Sequence, residues 1–184
     1  MKATKQAEDK IYFMDGCHPR HHSIAAYGWI KKGTEKQLKA NTARKRLNSN
    51  GAYCAEKNKV IVREDESIHA QSTLSLIQQI MALQASGIIY LIADNANYYR
   101  SKKVKEFLEK NPRVKILFLP PYSPNLNLIE RLGLFFKQKR LWNRSYEHDA
   151  EFKQECMSFF ENIHLYEAEM KTRMTDNFQL LHAA

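Results

Sequence analysis

The run Ile88-Ile89-Tyr90-Leu91-Ile92-Ala93 is apolar at every position and stops at Asp94. A strand that faces water on one side alternates polar and apolar residues. One that is apolar throughout is buried on both faces, as parallel strands covered by helices are. Residues 114–119 form a second buried strand, and residues 101–110 between them carry Val104, Phe107 and Leu108 at helical spacing. Strand, helix and strand in that order require a crossover connection, and with it layers on both sides of a sheet.

The rest of the chain completes that frame. Residues 10–15 make a short β-rich run ending on Asp15 and broken by Gly16 and Pro19, and residues 25–30, around Tyr27 and Trp29, are a weaker extended candidate. Residues 46–54, interrupted near Asn50-Gly51, and residues 59–64 predict two strands close enough in sequence to pair as a hairpin. From residue 70 to 86 the period becomes helical, with Leu74, Ile77 and Met81 on one row, Leu76, Ile80 and Leu83 on the next, and Gly87 where a helix stops. Pro120, Pro121 and Pro124 forbid helix until about Asn127, from which one runs to about Leu141. A last helix puts Phe152, Cys156, Phe159 and Ile163 on one stripe. The expectation is a mixed five-stranded sheet, three antiparallel strands and then two parallel, with helices on both faces.

The chain has 184 residues, enough for one domain with a real core, and 43% hydrophobic and 11% aromatic residues exclude a disordered chain. No apolar run is long enough to span a bilayer, so no membrane partner is expected. Residues 1–10 lack the apolar segment of a signal peptide, and three scattered cysteines do not make a disulfide framework. Both point to a reducing, cytoplasmic setting. The net charge of +9 suits a polyanionic partner. It is concentrated: residues 31–46 hold seven bases (Lys31, Lys32, Lys36, Lys39, Arg44, Lys45 and Arg46) against Glu35, whereas residues 147–184 hold eight acids against three bases.

Three carboxylates stand at informative places. Asp15 ends the first strand, Asp94 ends the most buried one, and Glu130 follows the proline loop at the start of a helix. If the two strands are neighbours, their backbones lie about 4.8 Å apart and their carboxylates can share a cation. Hard oxygen ligands suit Mg²⁺ or Mn²⁺, and a pair of such ions can drive in-line displacement at phosphorus. Each acid also has a purely structural reading. Asp15-Gly16 and Asp94-Asn95 are good turn pairs, and Asn127-Leu128-Ile129-Glu130 can form a capping box.

Longer motifs surround these acids. They are Tyr12-Phe13-Met14-Asp15 with His18-Pro19, Tyr27-Gly28-Trp29 with Lys32-Gly33, Asp94-Asn95-Ala96, and the stretch Leu119-Pro120-Pro121-Tyr122-Ser123-Pro124-Asn125-Leu126-Asn127-Leu128-Ile129-Glu130-Arg131-Leu132. Thirty-five residues separate Asp94 from Glu130. Together they closely resemble the DDE-superfamily transposases and endonucleases of the mariner-like group, in their bacterial insertion-sequence branch. The resemblance runs from Ile11 to Phe178. It implies a ribonuclease-H-like α/β fold in which Asp15, Asp94 and Glu130 are the metal ligands, with two Mg²⁺ or Mn²⁺ ions. The reaction implied is nicking of double-stranded DNA at transposon ends, then strand transfer into a target, commonly a TA site. Asn95, Tyr122, Ser123 and Asn127 would shape the site. His18, Arg131, Lys31, Lys32, Arg44, Lys45, Arg46 and Lys137 are the candidates for DNA contact. The implied setting is the nucleoid of a prokaryote, with a homodimer as the active complex.

The chain departs from the family pattern at three places. Tyr99 stands where a histidine is usual, Leu128 where a proline is usual, and Gly133 where a tryptophan is usual. With Asp15 so near the start, the helix-turn-helix module of such enzymes is expected outside residues 1–184, for instance as a separately encoded protein. Residues 1–184 read as one catalytic domain, with a flexible N-terminus over 1–10 and a helical extension over 147–184. Two other readings stay open, a nuclease of the same fold without strand transfer and a repurposed DNA-binding protein without catalysis. The cluster Cys17-His18-Pro19-Arg20-His21-His22 is too crowded for a structural zinc site. Trp29 and Trp142 most simply pack, and Lys137, Lys139, Arg140 and Arg144 most simply form a solvated face.

Overall fold

The computed structural model describes residues 6–35, 37, 39, 45–121 and 123–175. Five strands form one sheet in the order β3-β2-β1-β4-β5: β1 Lys10–Cys17, β2 Ser49–Cys54, β3 Lys59–Glu64, β4 Ile89–Ala93 and β5 Val114–Phe118. β1, β2 and β3 pair antiparallel, while β4 runs parallel to both β1 and β5. This is the mixed sheet expected from the sequence.

Helix α1 (Ala70–Leu83) starts on a reciprocal cap, with His69 Nδ1 accepting the Ser72 N–H at 3.1 Å and Ser72 Oγ accepting the His69 N–H at 2.8 Å. Helix α2 (Lys102–Lys110) starts at Ser101, whose hydroxyl accepts the Val104 N–H. Both cover one face, where Leu76, Ile77 and Ile80 meet Tyr12, Met14, Ala52, Leu91 and Ala93. Helices α3 (Leu128–Phe136), α4 (Asp149–Glu161) and α5 (Glu167–Arg173) cover the other, around Phe13, Tyr53, Ile92, Phe135, Phe152 and Phe159. No helix among the described residues is long and apolar enough to cross a membrane.

The structure corrects several boundaries. Residues 25–30 are not a strand: β1 pairs with β2 on one side and β4 on the other, and this segment joins neither edge of the sheet. Just before it Ile24 bridges to Trp142, and Tyr27 and Trp29 stand fully in solvent, so the packing expected for Trp29 does not occur. β1 continues past Asp15 to Cys17, and Asn50-Gly51 lies inside β2 rather than interrupting it. A Cβ on Gly51 would lie 3.3 Å from Ile129 Cδ1, so the small residue admits α3 rather than a turn. α1 ends at Leu83. Gly87 is needed a little later, at φ +77°, where a Cβ would sit 2.5 Å from the Glu8 carbonyl oxygen. The expected helix from Asn127 to Leu141 becomes α3 followed by a π turn over Lys137–Leu141, and the final stripe is divided between α4 and a 3₁₀ turn at Ile163–Tyr166.

Candidate active site

The parallel register of β1 and β4 pairs Phe13 with Ile92, so Asp15 and Asp94 stand two residues further on along adjacent strands. Side chains two apart in a strand share a face. Phe13 and Ile92 both enter the core beneath α3, which sends both carboxylates to the α3 side of the sheet's C-terminal edge. Asp15 remains within the ladder, opposite Gly51 of β2, whereas Asp94 has just left it.

Glu130 comes to the same edge on the first turn of α3. Leu128 and Ile129 bury themselves in the core, and the fully buried Asn127 donates from Nδ2 to the Met14 carbonyl at 3.2 Å. That bond ties the start of α3 to the strand that carries Asp15. It also rules out the capping-box reading, since Asn127 makes no side-chain cap and the Glu130 N–H reaches the Asn127 carbonyl instead, at 3.1 Å.

Two clefts meet at Glu130. One is lined by Asp15, Cys17, His18, Gly133 and Lys137, the other by Asp94, Asn95, Pro120, Pro121 and Ser123. The charges communicate across them. Burial, then the charges of Glu130 and Asp94, push the Asp15 carboxyl up to about 7, against smaller opposing effects of the Gly16 amide and the Lys137 ammonium. Burial and the charge of Asp94 raise Glu130 as well. One oxygen of Asp15 accepts the Gly16 N–H at 2.7 Å, and one of Asp94 accepts the Ala96 N–H at 3.0 Å. Among the described residues, no three His, Cys, Asp or Glu side chains stand together as a ready-made cation site. The carboxylates are electrostatic neighbours rather than a closed cage.

The supporting residues divide into those at the clefts and those elsewhere. Asn95 donates to the Leu119 carbonyl at 2.8 Å and accepts from the Arg100 guanidinium, which clamps the loop after β5 beside Asp94. Ser123 lines the same cleft, and Tyr122 lies outside the described residues. Arg131 is committed to the backbone, donating to Asn125 O at 3.0 Å and Thr175 O at 2.8 Å, so it shapes the site's support. His18 pairs with Asn48 Oδ1 at 2.8 Å on the rim of the Asp15 cleft.

Of the basic run at residues 31–46, none of the described residues lines either cleft. Lys31 and Lys32 are exposed, Lys45 faces Asp149 at 3.7 Å, Arg46 borders a separate groove with Glu64 and Asp65, and Arg44 lies outside the described residues. Of the cluster 17–22, His21 is buried against Phe152 with Nε2 2.9 Å from the Tyr146 carbonyl, a packing role.

Sequence reasoning missed Tyr98 and Arg100. A Cβ on Gly16 would lie 3.1 Å from the Tyr98 hydroxyl, and burial with the charges of Asp94 and Asp15 pushes that phenol up to about 12. Both residues lie on the loop that leaves β4, within six positions of Asp94, and that proximity was the available signal.

Comparison with known proteins fits this geometry. Residues 10–153 match the family described as DDE superfamily endonuclease. The chain is 24% identical over 127 residues to the insertion element IS630 uncharacterized 39 kDa protein of Shigella sonnei, covering 68% of this chain and 37% of that protein. Among solved structures it resembles the Mos1 transposase paired-end complex with left transposon end at a TM-score of 0.63 and 14% identity, over 89% of this chain and 54% of that one. The mariner Mos1 paired end complex with Mg gives a TM-score of 0.61 at 13% identity, over 94% and 57%. The chain thus spans little more than half of those transposase chains and about a third of the insertion-element protein. The shared fold is that of ribonuclease-H-like transposase cores. The chain belongs to the DDE superfamily endonucleases.

Proposed function

We propose that this domain performs divalent-metal-dependent phosphoryl transfer on DNA, cutting a strand and joining the freed 3′ end to a target, as the catalytic part of a transposase. The observation that carries the reading is the meeting of Asp15, Asp94 and Glu130 at one sheet edge, where burial and then the charges of Glu130 and Asp94 hold Asp15 at about 7. Like charges so arranged are relieved by a shared cation, and carboxylate oxygens are the donors that Mg²⁺ and Mn²⁺ prefer. In its chemistry the donor set suits such an ion, and Glu130, bordering both clefts, would be shared by two. Bound there, the ions would activate a water or a 3′ hydroxyl and stabilise the leaving oxygen.

The chain's own residues supply the positioning. Asp15 is held by the ladder, Asn127 keeps Glu130 over it, and Asn95 holds the loop that walls the Asp94 cleft. Lys137, beside Asp15, is placed to meet a phosphate oxygen. The similarity to Mos1 complexes containing transposon ends and Mg or Mn supports both the substrate and the cation. Recognition of a particular end is assigned to a helix-turn-helix module outside this domain, and synapsis of two ends calls for two copies of the chain.

The test is cleavage of an oligonucleotide duplex in Mn²⁺, followed by transfer of a supplied 3′ hydroxyl end to plasmid. Asp94→Asn should abolish both products and leave salt-sensitive DNA binding nearly intact. Cleavage that survives in this variant removes the assignment, and cleavage by the native chain without any joined product restricts it to a nuclease.

A further inference from the structure

Most basic side chains around the core are already engaged. Lys139 meets Glu169 at 2.8 Å, Arg140 lies 3.6 Å from Glu155, and Arg113 donates to three backbone carbonyls at the end of α1. Helix α2 is different. Residues 100–115 hold seven bases and two acids, and of the acids Glu106 is drawn to Lys102 at 3.7 Å. Among the described residues Lys103, Lys105 and Lys110 are exposed and make no ion pair.

Their placement is directional. Val104 points into the core, and Phe107 and Leu108 are half-buried on either side of it. Lys103 and Lys110 fall on the Phe107 flank, seven residues and about 10 Å apart along the axis, a length of roughly three base steps. Lys102 and Lys105 fall on the opposite flank. Arg100 lies two residues before α2, where its guanidinium binds Asn95 beside Asp94 and lies 4.6 Å from the centre of the Phe118 ring. The two lysines thus lie on the helix that follows the loop carrying Asp94, on the face of the sheet opposite α3.

We propose that the flank of α2 carrying Lys103 and Lys110, approached from Arg100, docks the phosphate backbone of duplex DNA that extends past the Asp94 cleft. The proposal rests on the functional reading above, since it gives the reacting duplex a second, sequence-independent hold. A free ammonium placed on a phosphate releases condensed counterions, which makes the contact visible in salt dependence.

The experiment measures binding of a labelled duplex by fluorescence anisotropy between 50 and 200 mM salt, without added metal. Lys103→Gln with Lys110→Gln should lower the salt slope by about two, which shrinks the affinity change over that interval roughly tenfold. Lys102→Gln with Lys105→Gln removes the same charge from the other flank and should leave the slope within about half a unit of native. Equal losses in the two double variants would mean that only net charge matters, and an unchanged slope in the first would mean no contact. Either result overturns the surface. Because the slope is read without metal, a native chain that fails to cleave refutes the functional reading alone, and the slope still decides the surface.

Discussion

The two clefts that meet at Glu130 are built from different materials. On one side Asp15 sits inside a ladder opposite Gly51, under a helix tied down by a buried asparagine. On the other, Asp94 lies just past β4, and its cleft is walled by Asn95, Ala96, Leu119, Pro120, Pro121 and Ser123, tied by the bond from Asn95 to Leu119 O and by the Leu119 N–H to Ala93 O. Groups on strands and helices keep their geometry, while loop-borne groups adjust at small free-energy cost. On the proposed function, the division assigns fixed geometry to Asp15 and adjustment to the Asp94 side when a cation and DNA enter.

Replacing the fixed carboxylate should have the largest effect, with opposite signs for activity and stability. Asp15→Asn should lower cleavage by about a thousandfold or more, in line with loss of a principal electrostatic contact in phosphoryl transfer. The same change should stabilise the metal-free protein at pH 8. Asp15 rises from 3.8 to about 7 on folding, so the native state holds this proton more tightly than the unfolded chain does. Native stability is therefore lost as pH rises from about 4 to about 7, by roughly 1.36 kcal/mol for each pH unit crossed in that interval. Thermal melts in chelator should show the variant several degrees higher at pH 8 and level with the native chain near pH 4. Equal melting at pH 8 would mean that Asp15 is not the strained member of the set.

Asn127→Ala probes how the fixed side is held. It deletes the donor to Met14 O in a site closed to water, at a cost of about 1–3 kcal/mol in denaturant unfolding. It also frees the turn that carries Glu130, and a displacement of about 1 Å can cost a hundredfold in rate. Cleavage should fall about 10- to 100-fold at saturating DNA. A stability loss without a rate loss would show that Glu130 finds its place without the tie.

Asn95→Ala is the matching change on the loop side and should cost less stability, about 1 kcal/mol or under, because the group is only half-buried. Its signature should be mobility. Amide exchange at residues 94–97 should quicken in the variant and slow in the native chain on adding Mn²⁺, while residues 13–16 change little. Equal Mn²⁺ protection of both segments would erase the contrast between the clefts.

How much of this was legible in the sequence follows the same line. The sheet, its mixed direction and the three carboxylates were readable because burial on both faces leaves an unbroken apolar run, and because Asp94 and Glu130 sit at ends of elements marked by Gly and Pro. Asn127 was readable as a residue near the site but not in its role, since a capping asparagine and one that reaches a distant carbonyl look alike in sequence. Residues 25–30 had the composition of a strand, yet whether a segment joins a sheet depends on tertiary partners that composition does not specify. The basic run at 31–46 drew attention by density, whereas the unpaired lysines of α2 stand out only once Lys139, Arg140 and Arg113 are seen to be occupied.

The smallest expected effect tests whether the fixed side has stability to gain without loss of function. Gly133 lies inside α3 on the rim of the Asp15 cleft, and a Cβ there would meet nothing within 4 Å. Its φ is negative, so alanine fits without backbone strain, and the change should add about 0.5–1 kcal/mol by lowering the conformational freedom of the unfolded chain. Because Asn127 and the buried residues Leu128, Ile129 and Leu132 already fix the helix, cleavage should stay within about twofold of native. Urea unfolding and the cleavage assay read the two halves separately. A stabilised Gly133→Ala chain with much lower activity would mean that α3 must yield during the reaction, and adjustment would then belong to the Asp15 side as well.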